Sequence, residues 1–272
     1  HRYTLFPYTT LFRSGFKGFN HNMRSFEIVT RYEKRYPDFD GLNLTREILI
    51  GILKHQTDYD EAGFLEKYQD EGPTVEAQVV DFADSLAYIN HDVDDGLKSG
   101  CITVEDLMES RLWQKALERV GPAVRVNDAE MMRYQVVKAL LDMQVRDFLS
   151  YTDENLKRLH FSCAEDVKRH RERVVDFSPE MKSLVKELRE LLMERLYRHY
   201  RVRRMTNKAR RIINDLFGVY CDDPHQLPPE IYPAAGCGDE EKYRIICNYI
   251  AGMTDRAAMD EHKRFFNAYT KV

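Results

Sequence analysis

The 272 residues are 43% hydrophobic and 32% charged, enough for one large or two modest domains with a core, and no run approaches the roughly 20 apolar residues of a membrane-spanning helix. A formal net charge of -4 argues against wholesale binding to nucleic acid or to an acidic membrane, so any such binding must be local. The cysteines, Cys101, Cys163, Cys221, Cys237 and Cys247, form no CxxC pair and are odd in number, which points away from a disulfide framework and towards a reducing cytoplasm. Cys221, Cys237 and Cys247 with His225 match no zinc template and read as buried or loop thiols.

In chain order, the sequence opens on TLFPYTTLFRS, Thr4–Ser14, which back-translates in a single frame to a widely used sequencing-library adapter. The run has neither a helical nor a sustained strand pattern and leads into Gly15 and Gly18. It also lacks the basic start, long apolar run and small-residue cleavage site of a signal peptide. His1–Ser14 are therefore expected to be artefactual, with the native N-terminal part expected upstream.

From Ser25 onward the pattern is helical almost throughout, and the reading is an all-α protein. SFEIVTRYEKRYP is a helix closed by Pro37, PDFDGLN is a turn, and LTREILIGILKHQ is a helix opened by Thr45 with Glu47 in its first turn. After the loop YQDEGP, the segment TVEAQVVDFADSLAYINHDVDDGLKSG reads as a helix capped by Thr74 and stopped at Gly96. Further helices are expected over about 103–119, 128–150 and 152–159, then a long one from Pro179 to about Tyr200. A break near Arg204–Asn207 leads to KARRIINDLFGVY. DDPHQLPPEIYPAAGCGD is the clearest irregular region, and EKYRIICNYIAGM and DRAAMDEHKRFFNAY are two last helices.

On a 3.6-residue wheel the helix from Thr74 to Leu97 places Val79, Phe82, Leu86, Val93 and Leu97 on one side. Asp81, Asp84, Tyr88, His91, Asp92 and Asp95 gather on the other, with Asp84, Tyr88 and Asp92 in one stripe. Such a stripe is either a solvated acidic face or the wall of a cleft. In a cleft, Asp supplies a hard oxygen for a divalent cation, Tyr a flat apolar surface with a hydroxyl, and a second Asp an acceptor for a sugar hydroxyl.

The segment EAQVVDFADSLAYINHDVDDGL decides between these. With FNHNMRSFEIVTRYEKRYPDFDGLNLT and GILKHQ before it, and RHYRVRRM and YIAGMTDR after it, it closely resembles the dGTP triphosphohydrolase-like branch of the HD-domain phosphohydrolases, from Gly15 to about Phe266. The resemblance implies a metal-dependent enzyme that cleaves a deoxynucleoside triphosphate, dGTP or similar, into deoxynucleoside and tripolyphosphate. It implies that Asp84 is the last of four metal ligands, that Tyr88 packs on the deoxyribose, that Asp92 accepts its 3'-hydroxyl and that Lys54 meets the phosphates. His21 and Asn22 match a motif near the active site, with simple capping by Asn20 or Asn22 as the alternative reading; His55 is a weaker candidate beside Lys54.

In relatives the first metal-binding His, a His-Asp doublet and the His that protonates the leaving 5'-oxygen all precede FNHN, and none of them is in this sequence. His91-Asp92 falls at a substrate-side position and does not replace the doublet. One carboxylate does not hold a divalent ion (Mg, Mn, Fe or Zn) tightly, so the chain is expected to be an inactive fragment of an active triphosphohydrolase. Base preference and metal identity stay open.

The run RLYRHYRVRRMTNKARR concentrates Arg203, Arg204 and Lys208 with five further arginines in an otherwise acidic chain. It is either a solvated face or an anion site, for an allosteric dNTP or single-stranded nucleic acid. Arg256 is a further phosphate candidate. By analogy with nucleotide-regulated relatives, a homo-oligomer is expected. The expected organisation is an artefactual segment 1–14, a partial HD domain lacking its first helices over 15–172, and a helical phosphohydrolase-associated region over 173–272. The rival reading is a non-catalytic helical module that binds nucleotide or nucleic acid.

Overall fold

The computed structural model describes residues 21–55, 72–121, 129–170, 172–231 and 239–271. The expectations for His1–Ser14, for Asn20 and for Cys237 lie outside these residues. Among the described residues the only strand-type pairing is an isolated bridge between Lys34 and Gly41, and the fold is all-α as the sequence predicts. None of the described helices is long and apolar enough to cross a membrane. The chain divides into two compact units between His199 and Tyr200.

In the first unit, α1 (His21–Glu27) runs into a π turn at Ile28–Tyr32. The loop after it turns at Gly41, whose φ of +76° and whose position demand glycine: a Cβ there would lie 2.5 Å from the backbone of Thr30. α2 (Arg46–Leu53) follows Thr45, whose side chain makes no capping bond. α3 (Val75–Ser99) starts where the Thr74 hydroxyl accepts the Ala77 N–H, as its sequence predicts. Its expected stop at Gly96 is wrong. The helix continues to Ser99 and ends at Gly100, which takes the left-handed φ of 65°. Gly96 is interior because a side chain there would collide with Ile102 at 2.7 Å.

The helix predicted over 103–119 is two: α4 (Val104–Leu107), opened by a Thr103–Asp106 capping box, and α5 (Arg111–Val120), capped by Ser110. Those predicted over 128–150 and 152–159 are one, α6 (Ala129–Leu159), because the side chain of Thr152 lies buried on its inner face and ends nothing. A short helix without a sequence expectation, α7 (Ala164–Arg169), follows. α8 (Pro179–Leu192) has Pro179 in its first turn and Ser178 as cap. The Ser178 hydroxyl donates to Asp147 Oδ2 at 2.6 Å and so ties the start of α8 to α6. A second π turn, Met193–Tyr197, completes the unit.

Its core runs from Leu86, Ile89 and Val93 of α3 through Trp113 of α5 and Leu140 of α6 to Leu184 and Leu188 of α8. Phe82 stacks on Phe148 at 4.3 Å and meets Phe177 edge-on at 4.5 Å.

The second unit holds α9 (Tyr200–Asp222), a 3-10 turn at Pro224–Gln226, α10 (Asp239–Ala251) and α11 (Asp255–Phe266). The break expected near Arg204–Asn207 is absent; the helical path is interrupted earlier, at Arg198–His199. Arg and Lys are good helix formers, and the apolar stripe from Val202 to Ile213, Leu216 and Tyr220 passes through the basic run without a shift of phase. Ile213, Leu216, Tyr220, Leu227, Ile246 and Ile250 form the core of this unit. The Tyr220 hydroxyl donates to Glu261 at 2.8 Å, and burial together with that carboxylate drives its pKa upward.

Candidate active site

The site grows from the end of α2. The last carbonyls of a helix have no partner within it, and here the side-chain amide of buried Asn22, from α1, donates to Leu53 O at 3.3 Å and His55 O at 2.6 Å. The Asn22 amide thus serves the far end of α2, a role other than the capping read from sequence, and it fixes the backbone on either side of Lys54. Lys54 itself is half-buried.

His55 is then pinned to α3. Its Nδ1 lies 2.5 Å from Asp81 Oδ1, and Arg173 Nη2 lies 3.2 Å from Asp81 Oδ2. Asp81 is only 4% exposed, so the solvated-face alternative for this side of the helix does not hold at Asp81. A carboxylate leaves water only when opposing charge and hydrogen bonds offset its desolvation, and both partners lie far off in sequence. The ring of His21 stands edge-on to that of His55, with centroids 6.2 Å apart.

The backbone that follows Arg173 is clamped. Gln78 Oε1, buried on α3, accepts the N–H groups of Val174 and Val175 at 2.9 and 3.3 Å, and Asn155 Nδ2 of α6 donates to Val174 O at 3.2 Å.

One helical turn beyond Asp81, the stripe of Asp84, Tyr88 and Asp92 continues along α3 with all three residues half-buried. Asp92 Oδ2 accepts a hydrogen bond from the hydroxyl of Tyr197. His91, its sequence neighbour, is exposed. His21, Asn22, Lys54, Asp84, Tyr88 and Asp92 therefore all fall within the first unit. A surface cavity at the start of α3, lined by Thr74, Glu76, Phe161 and Cys163, includes none of them.

Arg203, Arg204 and Lys208 lie on α9 in the second unit, all exposed. The guanidinium of Arg204 sits 5.2 Å from the centre of the Tyr200 ring. Arg256, with a 91% exposed side chain, stands 3.8 Å from Asp260 as a surface pair on α11.

Sequence reasoning missed Asp81 as a buried anion, and it missed Arg173 and Tyr197 altogether. Asp81 carried a signal, since it shares a helical stripe with Asp84 and Tyr88. The partners carried none, being 92 and 105 residues from the aspartates they meet.

The donor set bears on the implied metal. Among the described residues no group of three or more His, Cys, Asp and Glu is arranged to hold an ion, and Asp84 alone is too small a ligand set for a divalent metal. The residues described here do not by themselves fit that group.

The sequence matches a known class. Residues 175–264 match the family described as phosphohydrolase-associated domain. Over 260 residues the chain is 43% identical to a deoxyguanosinetriphosphate triphosphohydrolase-like protein of Geobacter sulfurreducens, an alignment covering 95% of this chain and 67% of that relative. It is 42% identical to the same-named proteins of Geobacter metallireducens, over 95% of this chain and 67% of the relative, and of Ralstonia pickettii, over 92% and 64%. The chain belongs to the deoxyguanosinetriphosphate triphosphohydrolase-like family and spans about two thirds of the length of these relatives.

Proposed function

We propose that this chain carries the substrate-binding side of a deoxynucleoside triphosphate triphosphohydrolase of the cytoplasm. Tyr88 packs against the deoxyribose, Asp92 accepts the 3'-hydroxyl, and Lys54 presents a compact positive charge to the phosphates. Asn22 holds the end of α2 that carries Lys54, and His21 stands edge-on to His55 beside it. One observation carries the reading: the half-buried stripe of Asp84, Tyr88 and Asp92 begins one turn from the buried Asp81–His55 pair that anchors the residue next to Lys54.

A divalent ion, if bound, would supply an activated water. Asp84 would be one of its ligands, and the described residues do not supply the others. The 272 residues alone therefore bind dGTP without releasing tripolyphosphate. The domain organisation that goes with this reading is a partial HD domain over 15–172 followed by the associated region over 173–272.

The test is calorimetric titration of the purified chain with dGTP, paired with an assay for tripolyphosphate in Mg or Mn. Binding that weakens at least tenfold in Asp92→Asn and Lys54→Ala, with no tripolyphosphate, supports the reading. Tripolyphosphate release by this chain refutes its inactivity, and absence of dGTP binding refutes the site.

A second role is favoured by the exposed cations of α9 around Tyr200: an anion site for a regulatory dNTP, in a homo-oligomer. Replacing Arg203 and Arg204 with Ala should lower nucleotide-dependent mass in solution. If that mass is unchanged while binding of single-stranded DNA falls, the nucleic-acid-binding alternative is the better one.

A further inference from the structure

Asp92 is met from a distant part of the same unit. The hydroxyl of Tyr197 donates to its Oδ2, with both side chains partly buried. Tyr197 is the last residue of the π turn Met193–Tyr197, which continues α8 without a capping side chain. A π turn takes one residue more per hydrogen-bonded ring than an α turn, so it re-aims the side chains at its end relative to the helix before it; such turns recur at functional sites.

The packing that seats this turn on α3 is specific. Leu196, beside Tyr197, is 3% exposed, and Gly96 lies one helical turn after Asp92. A Cβ on Gly96 would stand 3.4 Å from Leu196 Cδ1 and 2.7 Å from Ile102. Bare backbone at Gly96 lets the turn approach α3, and Tyr197 then reaches Asp92.

We propose that Tyr197 is a positioning residue for recognition of the sugar hydroxyl. By donating to Oδ2 it fixes the rotation of the Asp92 carboxylate and keeps that carboxylate an acceptor, so a ligand hydroxyl meets an acceptor already oriented. This rests on the reading of Asp92 given under Proposed function.

The test compares equilibrium binding of dGTP and of 2',3'-dideoxyguanosine triphosphate, which lacks the 3'-hydroxyl, by the full 272-residue chain in EDTA. Wild type should prefer dGTP. Tyr197→Phe, which keeps the ring and so the packing, should weaken dGTP binding about five- to tenfold and leave the dideoxy analogue unchanged. Asp92→Asn should abolish the preference, and adding Tyr197→Phe to it should change nothing more. Equal weakening for both nucleotides would mean a merely structural role and overturn the proposal. So would a preference that Asp92→Asn removes and Tyr197→Phe does not, which leaves the Asp92 reading standing. A wild-type chain without preference overturns both.

Discussion

Removing the carboxylate of Asp81 should cost the first unit much of its stability. Two charge-assisted hydrogen bonds end on this group, from His55 and Arg173, and a hydrogen bond to a charged partner contributes about 1.5–3 kcal/mol. The Arg173 side chain is 43% exposed, so solvent screening reduces its share to about 1 kcal/mol. His55, at 23% exposure, keeps about 2 kcal/mol. Alanine returns roughly 0.5 kcal/mol as the better helix former, leaving a net loss of about 2.5 kcal/mol for Asp81→Ala. With a urea slope of about 2.5 kcal/mol/M, the denaturation midpoint should fall by about 1 M, followed by far-UV circular dichroism. In the Arg173→Ala background the same substitution should cost measurably less, because the two residues share one interaction. A midpoint shift below about 0.3 M, or full additivity with Arg173→Ala, would refute the account of Asp81 as a bridging buried anion.

Two further expectations concern other parts of the fold. Gly41→Ala forces a side chain into a left-handed conformation and against the backbone of Thr30; a loss of at least about 2 kcal/mol is expected, and a midpoint equal to wild type would contradict it. Burial pushes the thiol of Cys247 up to about 12 from an ordinary 9.0. The unfolded chain therefore ionises this thiol near pH 9 while the folded chain keeps its proton, so the stability present below pH 9 is lost as pH rises towards 12. Denaturation midpoints at pH 8 and pH 10.5 should differ more for wild type than for Cys247→Ala, and equal differences would speak against it.

Helix identity was legible where the signal was local. Thr74 announces α3 by accepting the N–H three residues on, an interaction contained within the motif itself. The stripe of Asp84, Tyr88 and Asp92 was legible for the same reason. Gly96 misled because a glycine late in a helical pattern serves either as terminator or as a point of close approach, and Ile102 and Leu196 decide between them from outside the window. The burial of Asp81 was not legible because periodicity only places a carboxylate on the polar side of the helix, whereas the charge of Arg173 and the ring of His55 make its burial tolerable. The break expected near Arg204–Asn207 is absent because the apolar stripe of α9 runs through the basic segment in phase.

The clamp that Gln78 and Asn155 place on Val174 and Val175 bears on how such proteins exchange parts over evolutionary time. The phosphohydrolase-associated family begins at residue 175, yet Leu184, Leu188 and Leu192 are buried in the unit that ends at His199. The inherited module and the folding module are thus out of register. A recombination event that cut at the family boundary would carry one wall of the first unit's interior away with the transplanted piece. Grafts that keep function should instead fall near Arg198–His199, where the helical path is already interrupted.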